Sequence, residues 1–169
     1  KLHAIRQISA DGMEARPSPP PPRRVARATT SYLVENMLRS VINEGTGAAV
    51  RGSGFALDAG GKTGTTNDLR DAWFVGFTAE ILTVVWVGFD DNQALGLSGA
   101  QAALPIWTSF MTRALAGRPN TPLPEASDVV YVEIDRDNGK LAVPGCPRTF
   151  REAFAAGTEP LEPCELHRF

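Results

Sequence analysis

Ala59-Gly60-Gly61-Lys62-Thr63-Gly64-Thr65-Thr66-Asn67-Asp68 decides how this chain is read. One lysine stands between glycines and is followed by three threonines, ahead of the apolar run Asp71-Ala72-Trp73-Phe74-Val75-Gly76-Phe77. Arginine is the default cation here, because the 17 basic residues include lysine only at positions 1, 62 and 140. A lysine kept at 62 reads as a compact ammonium on a thin stem, where a planar guanidinium does not fit. Glycine on either side lets another backbone or a ligand come close. The plainer alternative is a Gly-rich turn with a solvated lysine.

A phosphate-binding loop requires G-x-x-x-x-G-K-[ST] and a helix that starts at the Lys-Thr pair. Counting back from Gly61, the first glycine belongs at 56, where this chain has Ala56. Thr63-Gly64-Thr65-Thr66 is also β-branched and broken by glycine, which disfavours a helix. A nucleotide-binding loop is therefore a poor reading, and a strand is the better one.

Lys62-Thr63-Gly64-Thr65 matches the K-T-G-T element of penicillin-recognising serine enzymes without a gap. Its continuation through Asp71-Ala72-Trp73-Phe74-Val75-Gly76 resembles the bifunctional (class A) penicillin-binding proteins. Val85-Trp86-Val87-Gly88-Phe89-Asp90-Asp91 and Ala103-Leu104-Pro105-Ile106-Trp107 follow in the order that family shows, so the resemblance covers nearly the whole chain. It implies an α+β fold: a partial antiparallel sheet with packed helices, like the C-terminal portion of the β-lactamase/transpeptidase fold. Residues 1–120 would close the transpeptidase domain, and 121–169 would form a hairpin and a cysteine-bearing tail.

The implied activity is that of a peptidoglycan D,D-transpeptidase. A serine attacks the D-alanyl-D-alanine end of a stem peptide, the acyl group passes to a neighbouring amine, and β-lactams acylate the same serine. Carried over, Lys62 supplies positive charge near the substrate carboxylate, and Thr63 and Thr65 supply hydroxyl donors. The Thr65 backbone N–H forms half of the oxyanion hole, and Gly64 leaves room for the substrate backbone. The family's nucleophile motif S-x-x-K and second motif S-x-N are missing: none of the serines at 9, 18, 31, 40, 53, 98, 109 and 127 has the required lysine or asparagine. The chain alone is expected to be inactive and to need the remainder of its domain, glycosyltransferase half aside. A non-catalytic cell-wall-binding module is the alternative of a different class. The resemblance implies no cofactor or metal, and a location at the periplasmic face of the bacterial inner membrane.

Composition agrees with one domain that has a genuine core, since 43% of the 169 residues are hydrophobic. A net charge of -2 argues against a nucleic-acid partner. No apolar run reaches the length of about 18 residues that spans a membrane. Lys1-Leu2-His3 carries neither an initiator methionine nor a signal pattern, as expected of a piece of something longer with any anchor upstream. Cys146 and Cys164 invite a disulfide, worth about 3 kcal/mol on the chain-entropy model, although free thiols remain open. A zinc site adding His167 has only three good ligands in the sequence.

Taken in order, Asp11-Gly12 marks a hairpin, and Pro17 to Arg24 reads as a polyproline-like connector. A helix is expected over about 32–43, capped by Thr30 or Ser31 and stopped at Gly45, with Leu33, Met37, Leu38, Val41 and Ile42 facing the core. The glycines at 45–54 suggest a flexible connection. Strands follow at about 61–66, 72–78 and 81–89, the last apolar enough to be central and covered on both faces. The last is also the long edge of an incomplete sheet, and self-association there is expected. Pro105 opens a helix whose Ile106, Phe110, Met111, Ala114 and Leu115 face inward. A strand over 130–135 and an Asn138-Gly139 hairpin turn into Leu141 complete the reading.

Overall fold

The computed structural model describes residues 7–10, 13–15, 21 and 23–167. Its centre is a three-stranded antiparallel sheet in the order β3 (Gly60–Thr65), β4 (Ala72–Phe77), β5 (Leu82–Val87). Alternation along β4 explains its two faces: Ala72, Phe74 and Gly76 are buried, while Trp73 and Val75 are exposed. The β4–β5 connection is a tight turn at Ala79-Glu80, closed by the Thr78 N–H donating to the Ile81 carbonyl at 2.9 Å. Small ribbons flank the sheet: β1 (Ile8–Ala10) with β2 (Met13–Ala15), and β6 (Val129–Asp135) with β7 (Thr149–Ala155). The Asp11-Gly12 turn and most of the proline-rich connector lie outside the described residues. The architecture is α+β, as the sequence leads one to expect.

Strand β5 is an edge, as expected, but it is not central or covered on both faces: its side chains alternate between exposed and half-buried. Leu82, Val84 and Trp86 are 66%, 51% and 44% exposed on the face that α3 does not cover. A run of apolar residues identifies a strand, but burial requires a neighbour on each face, and here one face has none among the described residues.

Helix α1 (Ala28–Asn43) starts earlier than the capping residues suggest. Its N-cap is Arg27 without a side-chain cap, and the expected caps Thr30 and Ser31 lie inside the helix, after Thr29, which bonds the Asp128 carboxylate. Gly45 does help end it, with its N–H shared by the carbonyls of Ser40 and Val41 at 3.0 and 3.2 Å. Tyr32 and Ile42 are buried, Leu33, Leu38 and Val41 partly so, while Met37 of the expected stripe is exposed. The connection after it contains a short helix, α2 (Ala49–Gly52), whose Val50 is fully buried in the core.

Helix α3 (Ala103–Ala114) keeps Met111 and the following Leu115 buried as expected, but the rest of its inward face takes a different phase. Ala103, Leu104, Trp107, Thr108 and Met111 are buried, whereas Ile106 and Phe110 are 51% and 43% exposed. Trp107 sets that phase. Its ring meets Phe74 and Phe55 edge-on at centroid distances of 5.1 and 5.6 Å, and its Nε1–H donates to the Gly76 carbonyl at 3.2 Å. Pro105 sits in the first turn, where its missing N–H costs no helical bond.

Beyond the helix, β6 pairs with β7 along its full length, from Val129↔Ala155 to Asp135↔Thr149. The Asn138-Gly139 turn forms, with Gly139 at φ +71, but Leu141 makes only an isolated bridge to Ile134. Strand β7 gives no clear period in Thr149-Phe150-Arg151-Glu152-Ala153-Phe154-Ala155, so its pairing is visible only in three dimensions.

A Cβ added at Gly76 would stand 2.6 Å from the Trp107 ring. Gly76→Ala should therefore destabilise the fold by about 1–3 kcal/mol through overpacking, and Trp107→Ala by about 3–5 kcal/mol through the cavity it leaves. Denaturant unfolding monitors both. Wild-type stability in Gly76→Ala would contradict this account of the core.

Candidate functional site

Lys62, Thr63, Gly64 and Thr65 all lie on β3, which among the described residues has a sheet neighbour on one side only. Register places Lys62 opposite Val75, Thr63 opposite Phe74, Gly64 opposite Trp73 and Thr65 opposite Ala72. Cross-strand partners share a face, so Lys62 stands on the bare face with Val75 and, one strand further, Val84. Its ammonium is exposed and donates to its neighbour's carbonyl, Thr63 O, at 2.9 Å. A lysine in mid-strand is not at a helix start, so the phosphate-loop alternative fails on local structure as well.

The glycines around the lysine have distinct causes. A Cβ at Gly61 would meet the Phe74 ring and the Val75 carbonyl at 2.9 Å, and one at Gly60 the Phe77 ring at 2.7 Å. Close approach before the lysine thus serves the core. After it, Gly64 borders Trp73, and a Cβ there would sit 3.1 Å from the Trp73 Cβ.

The threonine hydroxyls are fixed from outside the sheet. Thr63 Oγ1 lies 3.0 Å from Thr46 Oγ1, in the connection after α1. Thr65 Oγ1 accepts the Gly99 N–H at 3.0 Å, which leaves its own proton free to donate elsewhere. Gly99 is pressed onto the sheet, for a Cβ there would stand 2.3 Å from the Trp73 carbonyl and 2.5 Å from that of Gly64. The same loop is tied to the β3–β4 turn, where Leu69 O accepts the N–H groups of Leu95 and Gly96 at 2.8 and 3.1 Å. Asp68 and Leu69 hold positive φ there, at 58° and 52°. Asp71 completes the wall by accepting from Thr66 Oγ1 and Trp86 Nε1 at 3.0 and 2.9 Å. The 98–101 loop carries no motif, and sequence reading missed its role beside Thr65.

A second cluster lies in the tail. Cys146 and Cys164 are free thiols, where the sequence suggests a disulfide. They converge with Asp135 and His167, one ligand-type atom from each lying within 4.8 Å of all the others. Asp135 and Cys164 are fully buried. The Cys146 thiol chiefly, with further hydrogen bonds, holds the Asp135 carboxyl well below the usual carboxylate range. Burial, then Asp135, pushes the Cys146 thiol up to about 11. His3, the other histidine, is outside the described residues.

Residues 1–111 match the family model for the penicillin binding protein transpeptidase domain. The chain belongs to the penicillin-binding protein transpeptidase family. Residues 125–169 match the model of the C-terminal domain of penicillin-binding protein 1A. The chain is 41% identical over 141 residues to penicillin-binding protein 1A of Pseudomonas aeruginosa, covering 80% of this chain and 17% of that protein. It is 40% identical over 121 residues to the Escherichia coli protein of the same name, with 62% and 14% covered. The crystal structure of Haemophilus influenzae penicillin-binding protein 1A superposes with a TM-score of 0.73 at 36% identity, over 83% of this chain and 22% of that one. This member of the penicillin-binding protein family thus spans about a sixth of the length of those curated relatives.

The Gly99 contact is testable apart from catalysis. Gly99→Ala should push the loop off β3 and lower stability by about 1–3 kcal/mol. Thr65→Val removes the hydroxyl that accepts from Gly99 while leaving the loop in place, and should cost about 0.5–1.5 kcal/mol. Melting curves that place the two variants in the opposite order would refute the contact.

Proposed function

We propose that this chain supplies the substrate-binding strand of a serine D,D-transpeptidase that cross-links peptidoglycan stem peptides and is acylated by β-lactams. The observation that carries the reading is β3, an edge strand with Lys62, Thr63, Gly64 and Thr65 in unbroken register and its hydroxyls braced from outside. An extended peptide adds to such an edge through its backbone. Lys62 holds the substrate carboxylate, Thr63 and Thr65 offer hydroxyl protons, and the Thr65 N–H stabilises the oxyanion as charge develops on the attacked carbonyl. The acylated serine and its lysine come from the rest of the transpeptidase domain, since no serine of this chain has a lysine three residues on. We place the active protein at the periplasmic face of the inner membrane, and divide this chain near residue 120 between the transpeptidase domain and the tail. Stem peptides, β-lactams and the rest of the domain are its partners.

Lys62→Ala in the full-length protein should slow acylation by penicillin roughly 10- to 150-fold, from the loss of about 1.5–3 kcal/mol of charge-assisted hydrogen bonding. Lys62→Arg should keep part of the rate, since the charge survives with altered geometry. Melting curves should barely move, because the ammonium is exposed. Wild-type acylation in Lys62→Ala, or its unfolding, would overturn the role. In parallel, this chain alone should form no covalent penicillin adduct by intact-protein mass spectrometry. Full-length protein that takes no label would instead favour a non-catalytic wall-binding module.

A further inference from the structure

We propose that Asp135, Cys146, Cys164 and His167 form a structural zinc site that staples the C-terminal tail. Two sulfurs, one imidazole nitrogen and one carboxylate oxygen make a donor set suited to tetrahedral Zn2+. With ordinary zinc–ligand bond lengths, the edges of such a tetrahedron run from about 3.3 to 3.8 Å. Cys164 Sγ lies 3.5 Å from His167 Nδ1 and 3.3 Å from Asp135 Oδ2, and Nδ1 lies 2.7 Å from Oδ2. The Nδ1–Oδ2 pair must open by about 0.6 Å to reach such an edge, and Cys146 Sγ, within 4.8 Å of the other three atoms, completes the set.

The surroundings are those of a metal centre. The Val143 N–H donates to Cys146 Sγ at 3.3 Å, and the Asn138 amide donates to Cys164 Sγ at 3.2 Å, which is how a protein supports thiolate ligands. The Asp137 N–H donates to Asp135 Oδ1 at 2.7 Å, leaving Oδ2 aimed into the cluster. His167 Nε2 lies 3.8 Å from the Asp137 carboxylate, beyond hydrogen-bond reach but close enough for that charge to favour a proton on the nitrogen that does not face the cluster. A fully buried carboxylate such as Asp135 must be paired or coordinate a metal. Asp135 Oδ2 accepts from the Cys164 thiol at 3.3 Å and pairs with His167 Nδ1 at 2.7 Å, contacts that Zn2+ binding would replace.

The ligands enter from separate places: the end of β6, the turn before β7 and the last turn of the described chain. Outside the ribbon, isolated bridges such as Leu141↔Pro163 are the ladder contacts of this stretch. A metal joining all these segments does for the tail what a larger core would otherwise do. On binding, each thiol loses its proton to solvent and Zn2+ takes their place, with His167 entering as neutral imidazole.

The test is metal content and Co2+ spectroscopy on the full chain, equilibrated with zinc chloride or cobalt chloride under reducing conditions and then desalted. We expect about one zinc per chain by mass spectrometry, intense tetrahedral d–d bands with thiolate charge transfer for Co2+, and a melting temperature that falls on chelation. Cys146→Ser and His167→Ala should bind zinc at least about 10- to 100-fold more weakly. Asp137→Asn, outside the first ligand shell, should weaken it less. If the ligand variants fail to fold, the wild-type cobalt spectrum decides alone. No retained zinc with both thiols free, a Cys146–Cys164 disulfide formed in preference to metal binding, or a weak octahedral cobalt spectrum would each overturn the site.

Discussion

The Trp107 indole occupies the space above Gly76, and the geometry of the chain follows from that contact. The indole N–H reaches the Gly76 carbonyl only because residue 76 has no side chain. This brings α3 close enough for Trp107 to meet Phe74 and Phe55 edge-on. Those rings, with Leu104 and Met111, close the core over one face of β4. Once that face of β4 is buried, its register with β3 allows no slip, because a one-residue shift would turn Phe74 to solvent. Lys62 is thereby held on the opposite face, beside Val75. A packing contact on one side of the sheet thus determines where the Lys62 ammonium emerges on the other.

The exposed face deserves its own physical account. Trp73 and Trp86 stack there at a tilted 6.1 Å, and Val75, Leu82 and Val84 extend an apolar surface around Lys62. Monomeric proteins rarely leave so much apolar area bare without an interaction to fill it. Family membership gives it a context, since this chain spans 17% of its Pseudomonas relative. Apolar sheet surface and open strand edges are what a sheet layer presents where it can take a further neighbour.

The tail follows a different principle. It has one ribbon, few ladders and polar ties to α1 that include the Tyr32–Tyr131 hydroxyl pair and the Thr29–Asp128 bond. Burial, then the Tyr32 hydroxyl, pushes the Tyr131 phenol up to about 12, so this tie stays uncharged at ordinary pH. A segment with so little apolar mass depends on specific polar links, and the four-residue cluster around Asp135 is the most buried of them.

Local chemistry in the sequence was sufficient for several features. β-Branched and glycine-broken residues at 61–66 determined a strand and excluded a phosphate loop, the Ala79-Glu80 turn and the two longer helices were visible in the local pattern, and the order of motifs identified the family. Helix phase, strand burial and ligand sets were decided only in three dimensions. Ile106 and Phe110 fit an amphipathic stripe as well as Trp107 does, and only the vacancy above Gly76 chooses among them. The apolar run at 82–87 reads as central, yet coverage depends on neighbours that no local pattern encodes. Cys146, Cys164 and His167 announce themselves by type, whereas Asp135 joins them only because β6 ends where the tail folds back. A ligand set is a property of distances between remote segments, and those distances exist only in the folded chain.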